Sequence, residues 1–305
     1  MIYTLTANPS IDYVLQLQAV TLGEVNRVQT DVKLPGGKGI NVSRILKELN
    51  SDSVALGFVG GLTGEMFNQL LSQNQVQTAF TKVNGDTRIN VKIKTDHEET
   101  EINGQGPTIS DLEKADLMQK IAQIGPKDVV VMAGSTPPGL DQQFYLDIAQ
   151  QVTEHGAEFI IDTTGQALLD TLPFHPLVIK PNHHELADLF ATQFQSLDEI
   201  ISAARRLLNK GAQHALVSMA GDGALLVTND AAYKCNAPKD VVKNSVGAGD
   251  SMIAGFVGTY MKTNDPLASF HVGAACGSAT AFSEDLATID KIKTVYQQIT
   301  VTQIQ

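Results

Sequence analysis

Cysteine is scarce in this chain. Of its 305 residues only Cys235 and Cys276 are cysteine, far apart and without metal-ligand spacing. That leaves no disulfide framework, and two free thiols of a cytoplasmic protein are the expectation. An excess of positive charge is also absent. Lysine and arginine number 22 against 33 aspartates and glutamates, a formal net charge of −11. Without a basic footprint no nucleic-acid partner is expected. The same imbalance means that an anionic ligand must be met by a few well-placed cations. Long apolar runs are missing too. Nothing approaches the roughly 20 residues needed to cross a bilayer, so no membrane partner is expected. The start, Met1-Ile2-Tyr3-Thr4-Leu5-Thr6, has neither the basic region nor the apolar core of a signal peptide. The sequon Asn41-Val42-Ser43 is then without meaning.

What is present is an ordinary globular composition, 43% hydrophobic and 18% charged. The length suits one large α/β domain with an accessory element, or two modest domains. Short β-rich runs alternate with amphipathic stretches. Strands are expected at Ile2–Thr6, Ser53–Val59, Asp128–Ala133, Glu158–Asp162, Leu177–Lys180, Ala215–Met219 and Ala224–Thr228. Several are continuous apolar runs, as in parallel strands buried on both faces. Ser110-Asp111-Leu112-Glu113 and Ser196-Leu197-Asp198-Glu199 both fit a capping box. The alternation predicts a three-layer α/β/α core around a mostly parallel sheet. Two regions, Tyr13–Leu34 and Thr87–Asn103, do not fit it. In Arg88-Ile89-Asn90-Val91-Lys92-Ile93-Lys94 one face is apolar and the other polar. That pattern suits a small antiparallel sheet, a lid over a cleft, inserted at these two points into a single domain spanning 1–305.

Four motifs could carry chemistry. In Asn244-Ser245-Val246-Gly247-Ala248-Gly249-Asp250-Ser251, two glycines open a helix whose backbone N–H groups and dipole favour an anion. An acid in the first turn beside them suits phosphoryl transfer, because it can accept the proton of an attacking hydroxyl. A capped helix start is the bland alternative. Pro35-Gly36-Gly37-Lys38-Gly39-Ile40-Asn41 lets the backbone approach a ligand and supplies a cation and an amide, without the spacing of a Walker A loop; a flexible turn is its alternative. In Lys180-Pro181-Asn182-His183-His184-Glu185, Asn182 and Glu185 share a helix face and suit an outer-sphere Mg²⁺. The two histidines are expected on different sides of that helix, which argues against a joint metal site. Ser218-Met219-Ala220-Gly221-Asp222-Gly223 could hold a nucleotide phosphate or could simply be a hairpin turn. Asp12, the Gly134–Gly139 turn, Arg27 and Arg88 add weaker signals.

Taken in this order, the motifs resemble the ribokinase-like (PfkB) family of carbohydrate kinases over essentially the whole chain. Gly36–Ser43 is similar to the N-terminal signature and Asn244–Ser251 to the C-terminal one. The resemblance implies an ATP-dependent kinase with Asp250 as catalytic base and Gly247, Ala248 and Gly249 as its anion hole. It implies that Asp12 and Asn41 hold sugar hydroxyls beside Gly36 and Gly37, and that Arg27, Lys38 and Arg88 bind a substrate phosphate, with Ser135 lining the same pocket. Asn182 and Glu185 would act around Mg²⁺ and the nucleotide phosphates. Ser218, Gly221 and Gly223 would contact ATP, and Ala275–Ser278, with Ser278, would lie near the base. Asn244-Ser245 departs from the Asp-Thr usual in the wider family, which puts a monovalent-cation role for position 244 in doubt. The variant resembles the phosphofructokinase and tagatose-phosphate kinase branch. The substrate implied is fructose 1-phosphate, phosphorylated at its 6-hydroxyl, with tagatose 6-phosphate, fructose 6-phosphate and a non-catalytic sensor as alternatives. An exposed outer lid face and the resemblance together imply a homodimer through the lid.

Overall fold

The computed structural model describes residues 1–95, 97–141 and 143–305. In chain order its first strands are β1 (Ile2–Thr6), β2 (Ser10–Gln16), β3 (Thr30–Gly36), β4 (Ser53–Gly60), β5 (Gln77–Thr78), β6 (Thr81–Val83), β7 (Arg88–Lys94) and β8 (Glu99–Asn103). The later ones are β9 (Val129–Ala133), β10 (Glu158–Asp162), β11 (Val178–Ile179), β12 (His214–Ser218), β13 (Ala224–Val227), β14 (Ala232–Cys235) and β15 (Val301–Gln303). Helices α1 (Lys38–Glu48), α2 (Gly61–Gln73), α3 (Asp111–Ile121), α4 (Gln143–Glu154) and α5 (Gly165–Thr171) alternate with them. So do α6 (His183–Leu189), α7 (Leu197–Leu208), α8 (Ala248–Thr263), α9 (Pro266–Ala281) and α10 (Ile289–Tyr296).

The main sheet runs β15-β14-β13-β12-β11-β10-β9-β1-β4-β5, with β6 also on β4. From β4 through β12 every pairing is parallel, and the last three strands are antiparallel. Period-two alternation explains the layers. Val129 and Val131 on β9 face a core shared with Ile45 of α1, Phe256 of α8, Phe270 of α9 and Val295 of α10. Val130 and Met132 face the opposite core, with Leu117 of α3, Phe144 of α4 and Leu207 of α7. The strands are buried on both faces, which is why they read as unbroken apolar runs.

The lid is the four-stranded sheet β3-β2-β7-β8. It is mixed rather than wholly antiparallel. β2–β3 and β7–β8 are antiparallel hairpins, but they join through a parallel β2–β7 pairing, Ser10 opposite Arg88 and Asp12 opposite Asn90. The parallel join follows from the connection: β2 and β7 are separated by the crossover through α1, β4 and α2, not by a turn. Its polar side is the buried one. Asn90 and Lys92 are 8% and 9% exposed, whereas Ile89 is 43% exposed.

Two capping expectations fare differently. Ser110 and Glu113 form a reciprocal box at α3. At α7, Ser196 accepts from the Glu199 N–H, but the Glu199 carboxylate takes the Gln195 N–H instead of closing the box.

Candidate active site

A cleft of about 470 Å³ opens where the carboxyl ends of β1, β9 and β10 meet the start of α8, with the lid over it. This is where ligands bind in open parallel sheets, because strand ends and helix N-termini converge there. A concavity of about 570 Å³ around His175, Lys210 and His214 lies at the start of β12, the other end of the strands, and gathers no comparable constellation.

On the floor stands Asp250. Gly247 is the N-cap of α8 with φ of 80°, a left-handed conformation that glycine adopts freely. Ala248 follows as the first helical residue, then Gly249 and Asp250 in the first turn. The helix is fixed by close packing on α9: a Cβ on Gly255 would lie 2.8 Å from the Gly273 Cα. Asn41 Nδ2, from α1, donates to Asp250 Oδ2 at 2.8 Å. Burial pushes the Asp250 carboxyl up to about 6, with the negative charge of Asp162 adding to the rise. Asn41, Lys38 and Lys180 pull the other way.

The glycine loop lies beside this floor. Gly36 ends β3 directly under Asp12; a side chain there would collide with the Asp12 carboxylate and the Ser10 hydroxyl. Gly37 caps α1 and lines the cleft with Lys38 and Asn41. Asp12 is held by three partners: Ser10 Oγ donates to Oδ1 at 2.7 Å, Asn90 Nδ2 donates to Oδ1 at 3.2 Å, and Lys92 Nζ pairs with Oδ2 at 3.1 Å. Burial lowers the proton affinity of Lys92, but Asp12 and then Glu101 outweigh it, and its pKa is raised.

The predicted cations divide. Arg88 lines the cleft, donating from Nε to the Asn8 carbonyl and from Nη1 to the Gly104 carbonyl, both at 3.1 Å. Among the described residues no carboxylate pairs with it. Lys38 also lines the cleft, but its Nζ donates to Asp162 Oδ2 at 2.8 Å. Arg27 is exposed on the loop between β2 and β3 and does not line the cleft in a single chain. Ser135, just past β9, lines it together with Gly134.

The nucleotide-side residues lie along the neighbouring strand ends. Asn182 is the N-cap of α6 and forms a reciprocal capping box with Glu185: Glu185 N–H donates to Asn182 Oδ1 and Asn182 N–H to Glu185 Oε2, both at 2.8 Å. An isolated bridge joins Asn182 to Ser218 at the end of β12. Gly221 and Gly223 belong to the turn between β12 and β13, which pair antiparallel, so the hairpin is real. Ser278 is half-buried on α9, and its carbonyl accepts the Phe282 N–H. The histidine rings do not diverge. His183 and His184 lie with ring centroids 3.8 Å apart, so the expectation that they point to different sides of the helix is corrected. No group of three or more His, Cys, Asp or Glu side chains able to hold a metal occurs among the described residues.

Among the cleft residues that escaped the sequence reasoning are Asn90, Lys92, Asp162 and Lys180, which line it with those predicted. Asn90 and Lys92 sit on the polar face of a strand whose alternation was visible. Asp162 ends an apolar strand, and nothing local marks it.

A doubly wound α/β/α fold with a lid, and a buried carboxylate at a glycine-opened helix start, define a phosphoryl-transfer site of carbohydrate-kinase type. Residues 5–292 match the family described as pfkB family carbohydrate kinase, and the chain belongs to that family. It is 47% identical over 304 residues to a 1-phosphofructokinase of Bacillus subtilis, covering 100% of both chains. It is 38% identical over 306 residues to a D-tagatose-1-phosphate kinase of Bacillus licheniformis, again covering 100% of both. Among solved structures it resembles the phosphofructokinase-2 of Escherichia coli in complex with fructose-6-phosphate, at a TM-score of 0.91 and 28% identity over 97% of this chain and 98% of that one. As a member of a kinase family the chain uses ATP as phosphate donor. No helix among the described residues is long and apolar enough to cross a membrane.

Proposed function

We propose that the chain transfers the γ-phosphoryl of ATP to the 6-hydroxyl of D-fructose 1-phosphate, giving fructose 1,6-bisphosphate and ADP. The observation that carries this reading is the pairing of two poles in one cleft: a buried carboxylate at the helix start and Arg88, unpaired by any carboxylate among the described residues, on the lid. A ketose phosphate gripped by its phosphate at Arg88 presents its far primary hydroxyl to Asp250. Asp250 takes the hydroxyl proton, the oxygen bonds to the γ-phosphorus, and the bond to the β–γ bridging oxygen breaks as ADP leaves. Backbone N–H groups at Gly247, Ala248 and Gly249 bind the phosphoryl oxygens in flight. Asp12, held by Ser10, Asn90 and Lys92, and Asn41 hold ring hydroxyls beside Gly36 and Gly37, with Ser135 on the same wall. Lys38, tied to Asp162, serves the reacting end rather than the substrate phosphate. Arg27 acts on the substrate phosphate only if the lid loop comes over the cleft.

Mg²⁺ bound with ATP would neutralise charge spread over the β- and γ-phosphates. The capping box engages Asn182 Oδ1 and Glu185 Oε2, which leaves the other Glu185 oxygen for a water-mediated hold. Asn182 and Glu185 therefore fit the ion at one water's remove. Ser218, Gly221, Gly223 and Ser278 border the nucleotide.

The whole chain acts as one domain, its lid strands inserted near 13–34 and 87–103, and pairs with a second copy through the lid's outer face. A cytoplasmic location follows from the substrate.

The test is an ADP-release assay with fructose 1-phosphate, tagatose 1-phosphate, fructose 6-phosphate, tagatose 6-phosphate and free fructose at equal concentration. Fructose 1-phosphate is expected to give the highest kcat/KM. Arg88→Ala should raise KM for the sugar phosphate roughly 10- to 100-fold, the worth of a lost charge-assisted contact, and leave KM for ATP within about threefold. A different winner among the phosphates replaces the substrate, and free fructose as winner removes the clamp.

A further inference from the structure

The cleft holds a charged group that the phosphate clamp does not use. Asp162, at the end of β10, is 7% exposed. Its Oδ2 accepts from Lys38 Nζ at 2.8 Å, and its Oδ1 pairs with Lys180 Nζ at 3.5 Å. Lys38 opens α1 beside the glycine loop, on the sugar side. Lys180 follows β11 and is two residues before the α6 cap, on the nucleotide side. One carboxylate thus ties together an ammonium from each half of the cleft, next to Asp250.

Lys180 lies unusually close to the helix start. It is 8% exposed, and a Cβ built on Gly249 would lie 2.9 Å from its Nζ. The missing side chain at Gly249 is what admits the ammonium to the first turn of α8, where the positive end of the helix dipole favours an anion. The charges also count in its favour. Lys38, Lys180, Asp162 and Asp250 sum to zero while Asp250 is ionised. When Asp250 accepts the hydroxyl proton, the group gains a net positive charge while the phosphoryl is in transit. Because Asp162 and Lys180 are 7% and 8% exposed, such a change is felt more strongly there than in water, and it acts on the transition state more than on bound substrate.

We propose that Lys180 contacts the phosphoryl group in transit, and that Asp162 is a positioning residue that aims Lys180 and Lys38 at it. The proposal rests on the kinase reading above. The competing account is a buried ion pair that only fills space. That account predicts a loss of stability without a selective loss of turnover.

Two measurements on the full-length enzyme separate them. Steady-state kinetics are taken for Lys180→Met, Lys180→Arg and Asp162→Asn. Calorimetry then compares the affinity for ADP alone with that for ADP, Mg²⁺ and fluoroaluminate beside the ketose phosphate, a mimic of the phosphoryl in flight. Lys180→Met should lower kcat by roughly 10²- to 10³-fold, with KM for the sugar phosphate within about threefold. It should weaken the fluoroaluminate complex by a similar factor and leave ADP binding alone. Lys180→Arg should recover part of kcat, and Asp162→Asn should fall between them. A Lys180→Met kcat within about fivefold of the parent, a loss confined to KM, or an unweakened fluoroaluminate complex overturns the proposal. If Lys180→Met does not fold, Lys180→Arg and Asp162→Asn decide by the same split between kcat and KM. The parent's sugar preference is the control. If the parent turns over another ketose phosphate, the substrate reading fails by itself and the variants are read on that sugar.

Discussion

Asp250, the base of the proposed mechanism, is held in a folded environment that disfavours its ionised form. Burial, with the charge of Asp162 behind it, pushes its carboxyl up to about 6. A base must be ionised to work, so kcat/KM should fall about tenfold per pH unit below about 6, the limb measured on the free enzyme. Stability responds in the opposite sense. The folded-state value lies above the unfolded one, so folding takes up a proton between them. The favourable contribution is complete below about pH 4 and is lost as pH rises through about 6. Above that, the buried charge costs on the order of 1–3 kcal/mol. Asp250→Asn should therefore raise the thermal midpoint at neutral pH, flatten its dependence between those two values, and lower kcat by roughly 10²–10⁴. Near-normal turnover in a folded variant would remove Asp250 from the mechanism, and a lowered midpoint would contradict the desolvation account. Asp250 and Asn41 could be singled out because each sits in a glycine-rich run at a helix start, although a capped helix or a flexible turn reads the same way on its own. Asp162 could not, nor could Asn90 and Lys92 as partners of Asp12, because their meaning comes from contacts between strands distant in sequence. Lys92 meets Asp12 only because β2 and β7 pair in that register.

At the scale of elements, one motif often serves structure and ligand together. Asn182 and Glu185 were read as an outer-sphere metal pair, and the structure has them capping each other's backbone at α6. The spacing of a capping box and of a shared helix face is the same, so sequence could not separate the two roles. The turn after β12 divides more cleanly. Gly223 has φ of 89° and ψ of −140°, a region open in practice only to glycine. A Cβ there would also collide with the Cys235 carbonyl. Gly221 has open space where a Cβ would go. Gly223→Ala should thus destabilise the fold by more than about 2 kcal/mol, through strain and a backbone clash. Gly221→Ala should fold like the parent, so any change in its KM for ATP reports a nucleotide contact. Chemical denaturation of both variants checks this; equal midpoints would show the hairpin to be more pliable than its dihedrals imply. The seven strands expected in the main sheet were legible to within about one residue at each end, because burial on both faces leaves an apolar run, whereas the short or edge-lying β5, β6, β14 and β15 were not. The parallel join within the lid was not, since alternation fixes which residues share a face but not which way the neighbouring strand runs.

Across the whole molecule the lid is the element whose amphipathicity runs against the usual sense. Its polar face is turned inward, where Asp12, Asn90 and Lys92 bond to one another over the cleft. Its outer face carries Tyr13, Leu15, Ile89, Val91, Ile93 and Ile102, which the strand register brings together. Ile89 is 43% and Ile102 59% exposed in the single chain. The same register puts Asp31 and Lys33 of β3 and Thr100 of β8 at the margins of this face, so its centre on β2, β7 and β8 is the apolar part, and an exposed apolar patch of this kind favours a partner. A second copy of the same chain offers the same face, which a twofold axis can pair with itself. The expected state is a dimer at micromolar concentration by light scattering. Because Ile89 and Ile102 are already open to water, replacing both by aspartate should cost the lone chain little. Two like charges repeated across a twofold contact would oppose pairing. The double variant Ile89→Asp, Ile102→Asp should run as a folded monomer with an unchanged circular dichroism spectrum. A monomeric parent would remove the lid contact, and a double variant that stays dimeric would move the contact to another face.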